Sequence, residues 1–160
     1  MTVDQNVRSI LPDYYSYPLI VPYNADMDNS ARNIYYRTTN HYQTMDRIYR
    51  DISNVVSHGI FYPSEAIIVT YDNIPRYRYP SIKFKYQVII ATDYTSTYAI
   101  VNYERLDTSG NRIGYGDPSC HAFQNFTSGG RNQTELTKTS NIGIPGRHIY
   151  LLTKQLCNSK

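Results

Sequence analysis

The clearest periodic pattern in the chain is an apolar stripe between Asn40 and Ser57. Apolar residues recur there every three or four positions, which places them on one side of a helix. Asn40 stands where an N-cap would be, with Gln43 three residues on as in a capping box, and Gly59 stands where a left-handed C-cap would end the helix. We therefore predict a helix over Asn40–Ser57 that packs its stripe against a sheet. The stripe consists of Tyr42, Met45, Ile48, Tyr49, Ile52, Val55 and Val56.

Apolar runs on both sides of this helix predict β-strands. Apolar and polar residues alternate over Ile82–Ile90, the period of a strand with one wet face, and Lys83, Lys85 and Gln87 lie on that face. A turn at Asp93–Ser96 separates this strand from the next, and so short a spacing favours an antiparallel hairpin. The other predicted strands are Leu19–Val21, Arg32–Thr38, Ala66–Tyr71, Thr97–Tyr103 and Arg147–Thr153.

The order of these elements predicts an α+β fold, a mostly antiparallel, twisted β-sheet or sandwich with one amphipathic helix packed on it. The chain of 160 residues has the length of one domain. Residues 1–17 show no hydrophobic period, so we expect a loosely ordered arm there, a single domain over residues 18–155 and a tail over residues 156–160. Turn-forming residues over 107–116 and 128–132 predict a loop-rich region late in the domain.

Composition narrows the class of protein. Apolar residues make up 41% and charged residues 18%, which excludes a disordered chain. The aromatic residues are 18 Tyr and 4 Phe with no Trp, so core rings must carry hydroxyl groups that need partners or water. A formal charge of +3 is too small for a nucleic-acid footprint. The sequence contains no apolar run long enough to span a bilayer and no signal-peptide core, so an export signal would lie outside it.

One stretch alternates basic and aromatic residues. Such a pattern can bind RNA, but charges that protect a strand edge are its commoner cause. Tyrosine is a rigid, amphipathic interface residue, and we therefore expect Tyr77, Arg78 and Tyr79, together with the loop around Tyr115, to contact another protein or another copy of the chain. The stretch consists of Arg76, Tyr77, Arg78, Tyr79, Lys83, Phe84 and Lys85.

Asn24, Asp26 and Asp28 are candidate ligands for a hard cation such as calcium. They occupy alternate positions, so on an extended segment their oxygen atoms would point the same way. The spacing does not match an EF-hand loop. The alternative is that these side chains cap turns or pair with Arg32 or Arg37. Calcium prefers six to eight oxygen ligands. The candidates for further ligands are Asp72 and Asp93.

No arrangement of nucleophile and base indicates an enzyme. Cys120 and His121 are neighbours, and neighbours on a strand point to opposite faces. The remaining histidines fall in no recognisable catalytic pattern. We therefore predict no catalytic residue and, apart from the possible calcium ion, no cofactor; a hydrolase stays open as a third function. The remaining histidines are His41, His58 and His148.

Two further pairs of residues bear on the cellular compartment. Cys120 and Cys157 could form one disulfide or be unrelated thiols. Asn125 and Asn132 each begin an N-glycosylation pattern in the predicted loop-rich region, where a glycan could sit in water, unless neither is used. Two such patterns in one loop-rich stretch favour a secretory origin.

Six segments, in order along the chain, follow the pattern of one domain family. They are Pro22–Asp28, Ile34–Thr39, Val69–Ile74, Val88–Asp93, Tyr98–Tyr103 and Asn141–Arg147. They resemble "PFWADVD", "VYYR" with its threonines, "VTWDNV", "VVLATD", "FAIFNYG" and "NVGVPGRW" of the NIDO domain, which nidogen, alpha-tectorin and membrane mucins share. The family's tryptophans are replaced here by Asn24, Tyr71 and His148.

The resemblance implies an extracellular module, secreted or part of a membrane protein's ectodomain, with no catalysis. The function we expect is therefore a non-catalytic adhesion or matrix module that contacts extracellular matrix or cell-surface proteins, or itself, and neither nucleic acid nor membrane. The alternative is a calcium-assisted carbohydrate-binding module, because tyrosine rings also stack on sugars.

The calcium alternative makes its own prediction. A cation that binds only the folded chain stabilises it, so adding calcium should raise the melting temperature, and Asp26→Ala should abolish that rise. Thermal denaturation of both proteins with and without calcium checks it. An unchanged melting temperature of the wild-type chain would contradict the site.

Overall fold

The computed structural model describes residues 19–28, 30, 33–56, 60–108, 113–117, 122–126 and 133–152. The predicted arm over residues 1–17 and the tail over residues 156–160 lie outside these ranges. The helices and strands, in chain order, are β1 Leu19–Val21, β2 Ile34–Thr39, α1 Tyr42–Ser53, β3 Glu65–Arg76, β4 Tyr79–Thr92, β5 Thr97–Arg105, β6 Gly114–Asp117, β7 Ala122–Asn125, the 3₁₀ helix Gln133–Thr137 and β8 Arg147–Leu151.

The described strands form two antiparallel sheets. The larger has five strands in the order β2-β3-β4-β5-β8, and the smaller has three in the order β1-β6-β7. β3, β4 and β5 form consecutive hairpins in which Val69 pairs with Val88 and Val88 with Val101. The predicted α+β architecture, with one amphipathic helix on a mostly antiparallel sheet, is confirmed.

Helix α1 packs its apolar stripe on one face of the large sheet. Met45, Ile48 and Ile52 are buried there, in a cluster with Ile68 of β3 and Ile100 of β5. Burying each such side chain contributes roughly 1.5 to 3 kcal/mol, which is more than a short helix gains from its own hydrogen bonds in water. The stripe therefore fixes the helix on the sheet, as predicted.

The ends of the helix differ from the prediction. The N-cap is His41, not Asn40, and no side chain makes a capping hydrogen bond; the His41 carbonyl instead accepts hydrogen bonds from the N–H groups of Thr44 and Met45. The helix ends at Ser53 rather than Ser57. Gly59, the predicted C-cap, lies outside the described residues.

Tyr42 is not part of the buried stripe. Its side chain is 80% exposed because it stands in the first turn, beyond the edge of the sheet-facing cluster. Tyr49 is half-buried and stacks on Tyr62, with ring centroids 5.0 Å apart. The spacing of the stripe was right, but its first residue was wrongly assigned to the core.

The opposite face of the large sheet carries an aromatic cluster covered by the small sheet and the 3₁₀ helix. Its buried tyrosines use their hydroxyl groups, as the composition predicted. The Tyr103 hydroxyl donates to the Pro22 carbonyl over 2.6 Å, and the Tyr23 hydroxyl donates to Asp107. Burial raises the pKa of Tyr103 well above its usual value. The cluster consists of Tyr23, Phe84, Tyr86, Val88, Val101, Tyr103, Ile113 and Leu136.

β4 is buried on both faces over its second half, which corrects the prediction of a strand with one wet face. Ile89 and Ala91 follow Gln87 on the face predicted to be wet, and α1 buries both of them. Only the first half of that face is open, where Lys85 pairs with Glu104 at 3.0 Å.

The predicted loop-rich region contains two short strands, β6 and β7. They pair with each other, and β6 also pairs with β1, so that Tyr115 lies opposite Ile20 and Gln124. Tyr115 is 9% exposed and belongs to a buried strand. The Tyr115 ring packs inside the domain and is therefore not an exposed contact residue; that the loop around it contacts a partner stays a prediction.

Two features tie β8 to its surroundings. His148 is buried, and its Nε2–H donates to the Leu136 carbonyl over 3.1 Å; burial lowers the pKa of this ring. Gly146 has φ +79°, and a Cβ there would lie 2.6 Å from the Tyr103 carbonyl oxygen. Glycine is therefore required at position 146 by both backbone conformation and space.

We expect Ile52→Ala to lower the free energy of unfolding by about 2 to 5 kcal/mol, since it removes a fully buried side chain beneath α1. Tyr42→Ala on the same helix should change it by less than about 0.5 kcal/mol. Urea unfolding of both variants measures the difference. Equal losses would contradict the packing of α1.

Comparing Gly143 with Gly146, which have nearly the same positive φ, separates the cost of backbone strain from the cost of steric crowding. Gly143 has φ +80°, and a Cβ at that position would have no neighbouring atom within 4 Å, whereas Gly146 has no such space. Gly143→Ala should cost about 1 to 2 kcal/mol of stability from the left-handed conformation alone. Gly146→Ala should cost about 2 to 5 kcal/mol because overpacking adds to it. Urea midpoints that do not rank the variants in this order would refute the close approach to Tyr103.

Candidate functional site

The hairpin between β3 and β4 presents two tyrosine rings at its end. This hairpin tip, residues 76–79, turns through Arg78, which has φ +62°. Tyr77 is 48% exposed and Tyr79 is 56% exposed. The Arg76 guanidinium lies 5.0 Å from the centre of the Tyr79 ring, and that of Arg78 lies 5.3 Å from the Tyr77 ring. Such cation–π contacts restrict both rings.

The tip is held in place from below. Arg76 pairs with Asp107 at 3.1 Å, where the two side chains are 30% and 15% exposed. The segment carrying Asp26 runs antiparallel beside the tip, since Tyr77 N–H donates to the Asp26 carbonyl over 3.0 Å and Asp28 N–H donates to the Pro75 carbonyl over 2.8 Å. The tip therefore needs little further ordering to bind a partner.

Three register irregularities lie between the turn of the tip and the middle of the sheet. One extra residue stands in β3 between Tyr71 and Ile74, where Asn73 has φ +54°, and another stands in β5 at Glu104, opposite Lys85. The third adjoins the tip, where the register shifts between Pro75 and Arg76 and the extra residues stand in β4. Bulges increase the twist of a strand and re-aim the residues beyond them. They therefore set the direction in which the tip leaves the sheet.

The structure brings the candidate calcium ligands next to the predicted partner surface. Asn24 is half-buried and Asp26 is exposed. Asp28 Oδ1 accepts from the Ser30 N–H over 3.0 Å, and hydrogen bonds from Ser30 lower the pKa of this carboxyl group. Asp28 therefore caps a turn, as the alternative to a calcium site proposed. The calcium site at Asn24, Asp26 and Asp28 stays a prediction.

Neither proposed further ligand joins these residues. Asp72 lies 3.8 Å from the Lys85 ammonium group, and Asp93 caps the turn at the far end of β4, accepting from Thr95 and Ser96 N–H groups. Across the ranges that the structure describes, no three His, Cys, Asp or Glu side chains are grouped as a metal site would require.

A cleft of about 700 Å³ lies between α1 and the neighbouring strands, and sequence analysis did not find it. One wall is α1, with Gln43, Thr44 and Arg47, and the other is the edge strand β2, with Tyr35 and Arg37. Clefts of roughly 300 to 1,000 Å³ hold small ligands. The size is therefore that of a ligand site.

The floor of the cleft is a polar row of four side chains on neighbouring strands, Thr70, Gln87, Asn102 and Arg147. Each faces the next in the register of the sheet. Arg147 Nε donates to Asn102 Oδ1 over 2.8 Å, Asn102 Nδ2 to Gln87 Oε1 over 3.5 Å, and Gln87 Nε2 to Thr70 Oγ1 over 2.8 Å. The polar row is thus one chain of hydrogen bonds beneath the helix.

Arg147 also joins the sheet to the helix. Its Nη1 donates to Asp51 Oδ1 of α1 over 2.9 Å, and the two side chains are only 15% and 17% exposed. Removing one partner of such a pair leaves a poorly solvated charge, which is costly. The pair therefore fixes one end of the cleft.

A signal for the polar row was present in the sequence. Thr70, Gln87 and Asn102 each interrupt an apolar run with a polar residue in mid-strand. Gln87 was interpreted as part of a wet face. Only the register between these three consecutive strands shows that the three side chains belong together.

The remaining predicted residues are dispersed. Asn125 is exposed at the end of β7, and its use for glycosylation stays a prediction. Asn132, Cys120 and Cys157 lie outside the described residues, so the glycan at Asn132 and the disulfide also stay predictions. Of the histidines, His41 is exposed beside α1 and His148 is buried in the aromatic cluster.

Comparison with known proteins gives one match. Residues 1–154 match NIDO, the Nidogen-like domain. No curated protein and no solved structure matches the chain. Among the described residues, α1 is too short and too polar to cross a membrane, and no other helix could do so.

Proposed function

The chain belongs to the NIDO, or nidogen-like, domain family, and from this premise we propose that it is a non-catalytic extracellular module that contacts another protein through its hairpin tip. The family is non-enzymatic and of the extracellular matrix and adhesion type. The setting is therefore a cell-matrix or cell-surface assembly, either as a secreted protein or as an ectodomain.

The observation that carries the proposal is the pair of exposed, restrained rings of Tyr77 and Tyr79. Interface hot spots are enriched in Tyr and Arg, and the tip combines two exposed tyrosines with Arg78 at its turn. Rings already held by Arg76 and Arg78 lose little side-chain entropy on binding. The tip is thus preorganised for contact.

The charge at the tip favours a different protein over a second copy of this chain. Arg76 is paired with Asp107, whereas Arg78 forms no ion pair within the described ranges. In a two-fold contact between tips, both Arg78 side chains would lie close together and repel. A partner with carboxylate groups beside an apolar surface fits the tip better.

We expect the double variant Tyr77→Ala/Tyr79→Ala to bind extracellular matrix at least about tenfold more weakly than the wild-type chain, a loss of about 1.4 kcal/mol. The measurement is the binding isotherm of fluorescently labelled chain on matrix laid down by cultured cells. Both rings are exposed, so the variant should keep the wild-type melting temperature.

The matched control is Tyr94→Ala. Tyr94 is 75% exposed at the β4–β5 turn, the opposite end of β4 from the tip, and its loss should leave binding unchanged. Unchanged binding by the double variant, or an equal loss with Tyr94→Ala, would overturn the role of the tip. Sedimentation velocity of the wild-type chain tests self-association directly.

A further inference from the structure

The charge of the cleft is the first indication of what it binds. Arg37 on β2 and Arg47 on α1 both line it, and neither forms an ion pair with any described residue. Arg147 is the third arginine of the lining, and Asp51 is its one carboxylate. The lining thus carries an excess of two positive charges and fits an anion.

The polar row keeps spare hydrogen-bond donors. Gln87 and Asn102 each use one N–H of the side-chain amide along the row, and each amide has a second. Thr70 accepts a hydrogen bond with its oxygen and keeps its hydroxyl hydrogen to donate. The carboxylate of Asp51 is held by Arg147. The ligand must therefore be rich in oxygen acceptors.

The cleft also offers surface for the less polar parts of a ligand. Ile48, Ile68 and Ile89 line its deeper part, and Tyr35, which is 57% exposed, lines its β2 side. The C–H groups of a sugar ring carry small positive charges that suit the negative face of an aromatic ring. Sugar hydroxyl groups can meanwhile bond the polar row.

From these three properties we infer that the cleft binds a short acidic oligosaccharide, whose carboxylate or sulfate groups lie between Arg37 and Arg47 and whose hydroxyl groups contact the polar row. This site is separate from the hairpin tip and from Asn24, Asp26 and Asp28, and it needs no calcium. It adds a ligand to the proposed protein-binding function and does not depend on it.

An acidic peptide fits the same charge but not the same hydrogen bonds. Each peptide residue brings a backbone N–H that needs an acceptor, and a buried N–H without one is costly. The strongest acceptor of the lining, the Asp51 carboxylate, is held by Arg147, and Asn102 Oδ1 also accepts from Arg147. A sugar hydroxyl can accept from a spare donor of the polar row and turn its own hydrogen to solvent, whereas a peptide N–H has a fixed direction.

The first experiment titrates the full chain with four probes by isothermal titration calorimetry. They are a heparin tetrasaccharide, a hyaluronan tetrasaccharide, neutral maltotetraose and an acidic hexapeptide of glutamate. We expect at least one of the two acidic tetrasaccharides to bind at least about tenfold more tightly than maltotetraose and the peptide, a difference of about 1.4 kcal/mol. Tighter binding of the peptide, or binding of maltotetraose that equals that of the acidic sugars, would overturn the inference.

Arginine variants then locate the site. Arg37→Ala and Arg47→Ala should each weaken the tighter acidic tetrasaccharide about tenfold, because each removes a charge-assisted contact. The matched control is Arg50→Ala, which removes the same charge one helical turn from Arg47. Arg50 is 72% exposed, pairs with Asp46 and does not line the cleft, so this variant should change affinity less than about twofold.

An equal loss with Arg50→Ala would mean diffuse attraction to the whole basic surface and would exclude the cleft. All three arginine side chains lie at exposed positions, and unchanged melting temperatures should confirm that the variants fold. The salt dependence of the affinity should become shallower in Arg37→Ala and Arg47→Ala, since each loses one charge contact.

Thr70→Val tests the floor of the cleft independently of charge. It keeps the side-chain volume and removes the hydroxyl group of the polar row. The tetrasaccharide should bind about threefold more weakly with an unchanged salt dependence, as expected for one neutral hydrogen bond. Full affinity in this variant would show that the ligand does not reach the polar row and would overturn the assigned pose.

Discussion

The burial of β4 and β5 on both faces is the constraint on which the rest of the structure depends. Residues that alternate along these strands contact α1 on one side and the aromatic cluster on the other, as Ile100 and Val101 do within β5. A sheet with two apolar faces needs a covering layer on each face to bury both of them. The short strands β6 and β7 and the 3₁₀ helix therefore have a structural reason to lie where they do.

Polar groups beneath such layers must satisfy one another. The polar row does so because its four members are in register: Arg147 on the edge strand β8 donates to Asn102, Asn102 donates to Gln87, and Gln87 donates to Thr70. On the opposite face of the sheet, buried tyrosine hydroxyl groups donate to backbone carbonyl groups, as that of Tyr103 does to Pro22. A chain with 18 Tyr and no Trp can fill a core in this way only if its loops bring acceptors to the rings.

A feature could be predicted from the sequence when the residues that determine it lie close together in the chain. The stripe of α1 and the alternation in β4 are local, and both elements are where the pattern placed them. The burial of Ile89 depends on a helix some forty residues earlier, and β6 pairs on one side with β1, about a hundred residues away. Local periodicity contains neither fact.

The candidate sites also differ in whether their residues lie close together in the sequence. Tyr77, Arg78 and Tyr79 were recognised because exposed tyrosine and arginine in one short stretch are themselves a signal. That Asp26 would support their turn was not visible, since the two segments are about fifty residues apart. The cleft was missed altogether, because Gln87, Asn102 and Arg147 meet only through strand register.

The tip and the cleft share β4 and yet should act separately. Tyr79 pairs with Arg76 and Gln87 pairs with Thr70, six residues apart along β3, a separation of at most about 20 Å at 3.3 Å per residue. That is about twice the screening length at physiological salt, so charges at one surface have little effect at the other. The three irregularities between them turn the tip without disturbing the register at Gln87, which pairs with Thr70 and Asn102 beyond all three. One rigid strand can thus present a protein contact at its end and a ligand cleft at its middle.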